Sequence, residues 1–109
     1  MSIKTYPSDA IGSDTARANY LDYLMRLYAR FAGWGHGRVN YAIMPGILKR
    51  EFKVEPNGTY KSIPLSRFDE AVRLVQIAIE TTKLGAIKKS HQRLYLPFEE
   101  FAVKTSESV

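Results

Sequence analysis

Phe68-Asp69-Glu70-Ala71-Val72-Arg73-Leu74-Val75-Gln76-Ile77-Ala78-Ile79 is the stretch on which the fold of this chain turns. Phe68, Ala71, Val72, Val75, Ala78 and Ile79 recur at the i, i+3, i+4, i+7 spacing of one helix face. Leu74 and Ile77 widen that face, so the pattern predicts a central, largely buried helix. Asp69 and Glu70 suit the positive end of its dipole. Ser66 and Asp69, after Pro64, read as a shortened capping box. Lys83 and Gly85 mark the helix end.

Two apolar segments precede this helix. Tyr20, Leu24, Leu27 and Phe31 share a face with Leu21 and Tyr28 beside them, and Ser13 or Asp14 can cap that helix. Gly33 stops it, and Gly33-Trp34-Gly35-His36-Gly37 is a flexible link. Tyr41, Met44, Leu48 and Phe52 mark a second helix with Ile47 adjacent. Its start lies either at Pro45, where proline is tolerated, or near Asn40. Glu55-Pro56-Asn57-Gly58 is a strong turn, and Lys53-Val54 and Thr59-Tyr60 on its flanks read as a short hairpin.

Beyond the third helix, Gly85-Ala86-Ile87-Lys88-Lys89 and Arg93-Leu94-Tyr95-Leu96 are two β-like runs around Ser90-His91-Gln92, again a hairpin. Pro97 opens a last turn with Phe98 and Phe101. The expected fold is α+β and mostly helical: three main helices, the third central, with one or two short β-hairpins. Residues 1–12 read as a flexible arm, 13–103 as a single globular domain and 104–109 as a frayed tail.

Composition narrows the function classes. A chain of 109 residues is one domain's worth, and 45% apolar residues suffice for one core. The absence of cysteine removes disulfides, thiolate zinc sites and cysteine nucleophiles. The Met1 end has no apolar signal core and no apolar run is long enough to span a bilayer, so a cytoplasmic location without membrane contact is expected. The two histidines, His36 and His91, stand at no metal-pair spacing, and the adjacent Glu99 and Glu100 point apart on any helix. No nucleophile–base arrangement is legible, so the expectation is a protein that is not an enzyme. No catalytic residues, metal, cofactor or small-molecule substrate are expected.

Charge is the best lead. Sixteen Lys and Arg against eleven acids give +5. Residues 1–13 and 102–109 each sum to zero, so the excess lies in the body. It is densest at Lys83, Lys88, Lys89, His91 and Arg93, with Lys49, Arg50 and Lys53 as a second group. Such clusters neutralise phosphates and release counterions, which marks both as candidate nucleic-acid or partner-binding groups. Trp34, Tyr23 and Tyr60 are candidate aromatic contacts.

Leu48-Lys49-Arg50-Glu51-Phe52-Lys53-Val54, Tyr60-Lys61-Ser62-Ile63-Pro64 and Arg67-Phe68-Asp69-Glu70-Ala71 follow one another in order. Residues 41–74, about a third of the chain, resemble a short module at the C-terminal end of tailed-phage antirepressor-type regulatory proteins. The resemblance implies an interaction or DNA-associated unit without catalysis. Leu84-Gly85-Ala86-Ile87-Lys88-Lys89 and Leu94-Tyr95-Leu96 also resemble the end of a winged-helix domain, with the basic turn as its wing. The broadly apolar third helix lacks the polar face of a groove reader, which leaves nucleic-acid contact to the hairpin.

The expected function is that of a small phage or mobile-element regulatory protein acting by binding, with DNA as target through the basic hairpin. The alternative is a protein-binding inhibitor of a host complex that handles nucleic acid, as anti-CRISPR proteins are. A homodimer through the third helix is a further expectation.

Overall fold

A computed structural model describes residues 8–33, 41 and 43–107. Among these residues five α-helices follow one another: α1 (Thr15–Ala32), α2 (Ile43–Glu51), α3 (Phe68–Thr81), α4 (Lys83–Lys88) and α5 (Phe98–Glu107). No strand occurs among the described residues, and an isolated antiparallel bridge between Ala10 and Pro64 is their only β-type pairing. The architecture is therefore helical rather than α+β, and neither expected hairpin forms. Residues 34–37 of the glycine-rich link lie outside the described residues.

The helix that organises the fold is α1, not α3. Asp14 caps it, accepting from the Arg17 N–H at 3.1 Å, and Gly33 follows its last turn. Its 18 residues pack against α2, α3, α4 and α5. Leu21, Leu24 and Met25 are fully buried against Met44 and Leu48 of α2 and Ala71, Val75 and Ile79 of α3. On α3 the buried residues are Phe68, Ala71, Val75 and Ile79, one narrow stripe. Val72, Leu74 and Ala78 are half-buried and Ile77 is exposed, so its broad apolar surface exceeds what the bundle covers. Burial follows the partner available, and α1 packs against all four of the other described helices.

Residues 9–12, read as part of an arm, are docked. Ile11 is fully buried and donates its N–H to the Ile63 carbonyl at 2.8 Å, while Leu65 donates to Asp9 at 2.6 Å. Residues 1–7 lie outside the described residues. At the other end, α5 runs through Lys104 to Glu107.

The first hairpin fails because its N–H groups are already engaged. The Val54 N–H bonds to the Lys49 carbonyl at 2.9 Å and the Lys53 N–H to the Arg50 carbonyl at 3.3 Å. That is the Schellman pattern closing a helix C-terminus. Lys53 occupies the left-handed position usually given to glycine, at φ 53°. Thr59 then starts a 3₁₀ turn over Tyr60–Ser62, with a reciprocal Thr59–Ser62 capping box. The Ser66 cap does not form either. A 3₁₀ turn over Leu65–Arg67 leads directly into α3, where the Arg67 side chain caps no backbone N–H and instead donates to Glu70 Oε2 at 2.6 Å.

The second hairpin is replaced by α4. Thr82 breaks α3 by turning extended, with ψ 158°. Its hydroxyl donates to the Ile79 carbonyl at 2.7 Å and accepts from the Gly85 N–H at 3.0 Å, so one side chain ends α3 and caps α4. Ala86, Lys89 and Gln92 donate their N–H groups to Thr82, Gly85 and Lys88, the bonds a strand ladder would have needed. Gly85 is buried, and a Cβ there would lie 2.0 Å from the Ile79 carbonyl oxygen. Close approach of α4 to the end of α3 thus requires glycine.

Two substitutions are expected to move stability in opposite directions. Gly85→Ala forces backbone apart and should cost about 3 kcal/mol. Lys53→Gly relieves a left-handed side-chain residue and should add about 1 kcal/mol. Urea unfolding followed by circular dichroism measures both.

Candidate functional site

Between Thr81 and Phe98 the chain carries Lys83, Lys88, Lys89 and Arg93 and no acidic residue. The fold makes this segment α4 and an exposed turn, held over the C-terminal half of α3. Lys83, Lys89, His91 and Arg93 are exposed and Lys88 is half-buried. Among the described residues Lys83 and Lys88 find no side-chain partner, and neither does His91. Lys83 also edges a cleft of about 340 Å³ lined by Tyr28, Phe31, Ala78 and Thr81.

Lys89 and Arg93 are held by acids from other helices. Lys89 Nζ lies 3.6 Å from Glu80 Oε1, and Arg93 NH1 lies 2.7 Å from Glu100 Oε2. Glu80 is the more constrained acid. Tyr95 donates its hydroxyl to Glu80 Oε2 at 2.8 Å, and Arg73 NH1 donates to the same oxygen at 3.2 Å. The Tyr95 hydrogen bond, with Arg73 and Lys89 nearby, holds the Glu80 carboxyl below its ordinary value. Burial and the same bond to Glu80 push the Tyr95 phenol up to about 12. Glu80, Lys89, Gln92, Arg93, Leu94 and Tyr95 line a cleft of about 260 Å³.

The basic residues named from sequence are thus gathered on one helix–turn unit. The acids that restrain two of them, Glu80 and Glu100, were missed, as were Arg73 and Tyr95. The i, i+7 spacing of Arg73 and Glu80 was a usable signal, because it returns to one helix face. Nothing local signalled the pairing of Tyr95 with residue 80.

The second basic group stays separate in role. Lys49 Nζ donates to the Pro56 carbonyl at 3.1 Å and steadies the loop after α2. Arg50 and Lys53 are exposed and have no side-chain partner among the described residues, at a helix C-terminus where cations are favoured anyway. Of the aromatic candidates, Tyr23 is structural. Its hydroxyl accepts the Leu96 N–H at 3.0 Å and its ring stacks on Phe101 at 5.0 Å. Tyr60 is half-buried against the core. Trp34 lies outside the described residues.

A third cleft, of about 390 Å³, runs along α1 between Asp22, Arg26, Arg30 and Phe101. Asp22 accepts from the Arg26 guanidinium at 2.8 Å and from the Tyr41 hydroxyl, and Arg26 stacks on the Tyr41 ring at 4.9 Å. Burial, then the bond to Asp22, raises the Tyr41 phenol well above its ordinary value. Among the described residues no three His, Asp or Glu side chains gather as a metal site, and no helix is long and apolar enough to cross a membrane.

The Glu80 network has a pH signature. A lowered carboxyl stabilises the fold above its ordinary value of 4.5 and loses that contribution as pH falls further. A raised phenol stabilises below its ordinary value of 10.0 and loses its contribution as pH rises toward about 12. Glu80→Gln should cost about 1 kcal/mol at pH 7, with the deficit shrinking below pH 4.5. It should also bring the Tyr95 titration down, as read by NMR of ¹³C-labelled tyrosine.

No protein-family model, curated protein or solved structure matches this chain at a significant level, so the antirepressor resemblance stands on the quoted residues alone.

Proposed function

We propose that this protein acts by binding duplex DNA through the phosphate backbone, as a regulatory protein of phage or mobile-element type. One observation carries the reading. The 81–98 segment holds four cations and no acid, and it is presented on an exposed helix–turn unit in which Lys83 and Lys88 pair with no acid among the described residues. The corrected fold changes the means but not the chemistry: α4 and the turn after it replace the expected basic wing. Contacts of this kind position a protein on DNA without reading bases. The resemblance of residues 41–74 to antirepressor modules supports the regulatory part of the proposal.

A second reading has its own support. Ile77 of α3 is 46% exposed and Ile87 of α4 is 50% exposed, in the same helix pair that carries the cations. Apolar residues amid charge suit a protein interface. The partner would then be a host complex that handles nucleic acid, inhibited in the manner of an anti-CRISPR protein. A pull-down from host lysate with and without nuclease separates the two, because a stoichiometric protein partner that survives nuclease favours inhibition.

The DNA reading is tested by fluorescence anisotropy with a labelled 30-base-pair duplex. Four phosphate contacts give a slope of about −3.6 in log affinity against log salt. Affinity should therefore fall roughly 100-fold between 50 and 200 mM salt. Lys83→Ala with Lys88→Ala should reduce the slope by about 2. No binding at 50 mM salt would contradict the proposal.

A further inference from the structure

We propose that the cleft between the end of α3 and residues 89–95 seats one backbone phosphate, and that Glu100 of α5 occupies Arg93 in its place when no nucleic acid is bound. The inference rests on the DNA reading and adds to it a site and an internal competitor.

The donor set fits a phosphate. Lys89, Gln92 and Arg93 line the cleft together, offering an ammonium, an amide and a guanidinium. Arg and phosphate pair through two parallel N–H bonds, a geometry that a carboxylate also satisfies. The Gln92 side chain is exposed and makes no hydrogen bond among the described residues. Glu80 lines the same cleft.

The two acids differ in how firmly they are held. Glu80 is 18% exposed and takes Tyr95, Arg73 and Lys89 at once. It cannot leave without stranding three donors. Glu100 is 49% exposed and, among the described residues, pairs with Arg93 alone, itself 59% exposed. An exposed pair of this kind is screened and weak, worth at most about a five-fold factor in an equilibrium. A phosphate can therefore take Arg93 from Glu100 at little cost, while Glu80 stays to orient Lys89 and Tyr95. Glu100 acts as an internal stand-in for the phosphate, and its release ties occupancy of the cleft to the first turn of α5.

The test compares three full-chain variants by duplex anisotropy at 100 mM salt, with circular dichroism to verify folding. Glu100→Gln removes the competitor and should tighten binding two- to five-fold. Glu99→Gln makes the same change in net charge one residue away, at an acid that pairs with no cation, and should tighten it less than two-fold. Arg93→Ala should weaken binding and lower the salt slope by about 1. Equal effects of Glu100→Gln and Glu99→Gln would overturn the competitor while leaving the DNA reading intact. A slope unchanged by Arg93→Ala would overturn the phosphate seat. Absence of binding by the unmodified protein at 50 mM salt would overturn the DNA reading itself, and the seat with it.

Discussion

The buried hydroxyl of Tyr20 sets much of this structure. The side chain is 1% exposed and its ring meets Tyr23, Phe68, Phe98 and Phe101 at centroid distances of 5.4 to 6.4 Å. A phenol placed there must find a partner, since an unbonded buried hydroxyl costs about as much as a lost hydrogen bond. It donates to the Leu96 carbonyl at 2.7 Å, and burial keeps the phenol above its ordinary range. Tyr23, three residues on, accepts the Leu96 N–H. Both polar groups of one backbone residue are thereby spent on α1. That fixes residues 94–98, starts α5 at Phe98 and holds the basic turn over α3.

Much of the helical frame was legible because its signals are local. The caps Asp14 and Gly33, the periodicity of Tyr20 to Phe31 and the 68–79 stripe need only neighbouring residues. The second helix was ambiguous because Pro45 stands inside it, and α2 in fact begins at Ile43, with Pro45 in its first turn. Both hairpin readings failed for one physical reason. Lys53-Val54 and Ala86–Lys89 were judged by side-chain type, whereas the outcome depended on where their N–H groups found acceptors. Leu84, Ala86 and Lys88 are good helix formers, and Thr82 three residues before Gly85 was a capping signal. The centrality of α1 over α3 depends on helix length and packing partners, which periodicity alone does not carry.

The candidate site shows the same division. The cations were found by composition, which is a one-dimensional property. Their restraint by Glu80, Tyr95 and Glu100 joins α3, the turn and α5, and only the fold brings these together. The difference matters functionally. An acid-free segment reads as uniformly basic, but the structure sorts it into Lys83 and Lys88, which pair with no acid among the described residues, Lys89, held by a firmly bonded acid, and Arg93, held by a loosely bonded one. Attraction of an anion is then a graded competition with the protein's own carboxylates.

The proposed nucleic-acid contact lies on α4 and the turn that follows it. The most direct measurement is a ¹H–¹⁵N correlation spectrum of the labelled protein titrated with duplex DNA. Shifts concentrated between Lys83 and Arg93 and at Glu100, with helical carbon shifts over 83–88, are the expected result. Shifts confined to Arg50 and Lys53, or no change at low salt, would contradict it.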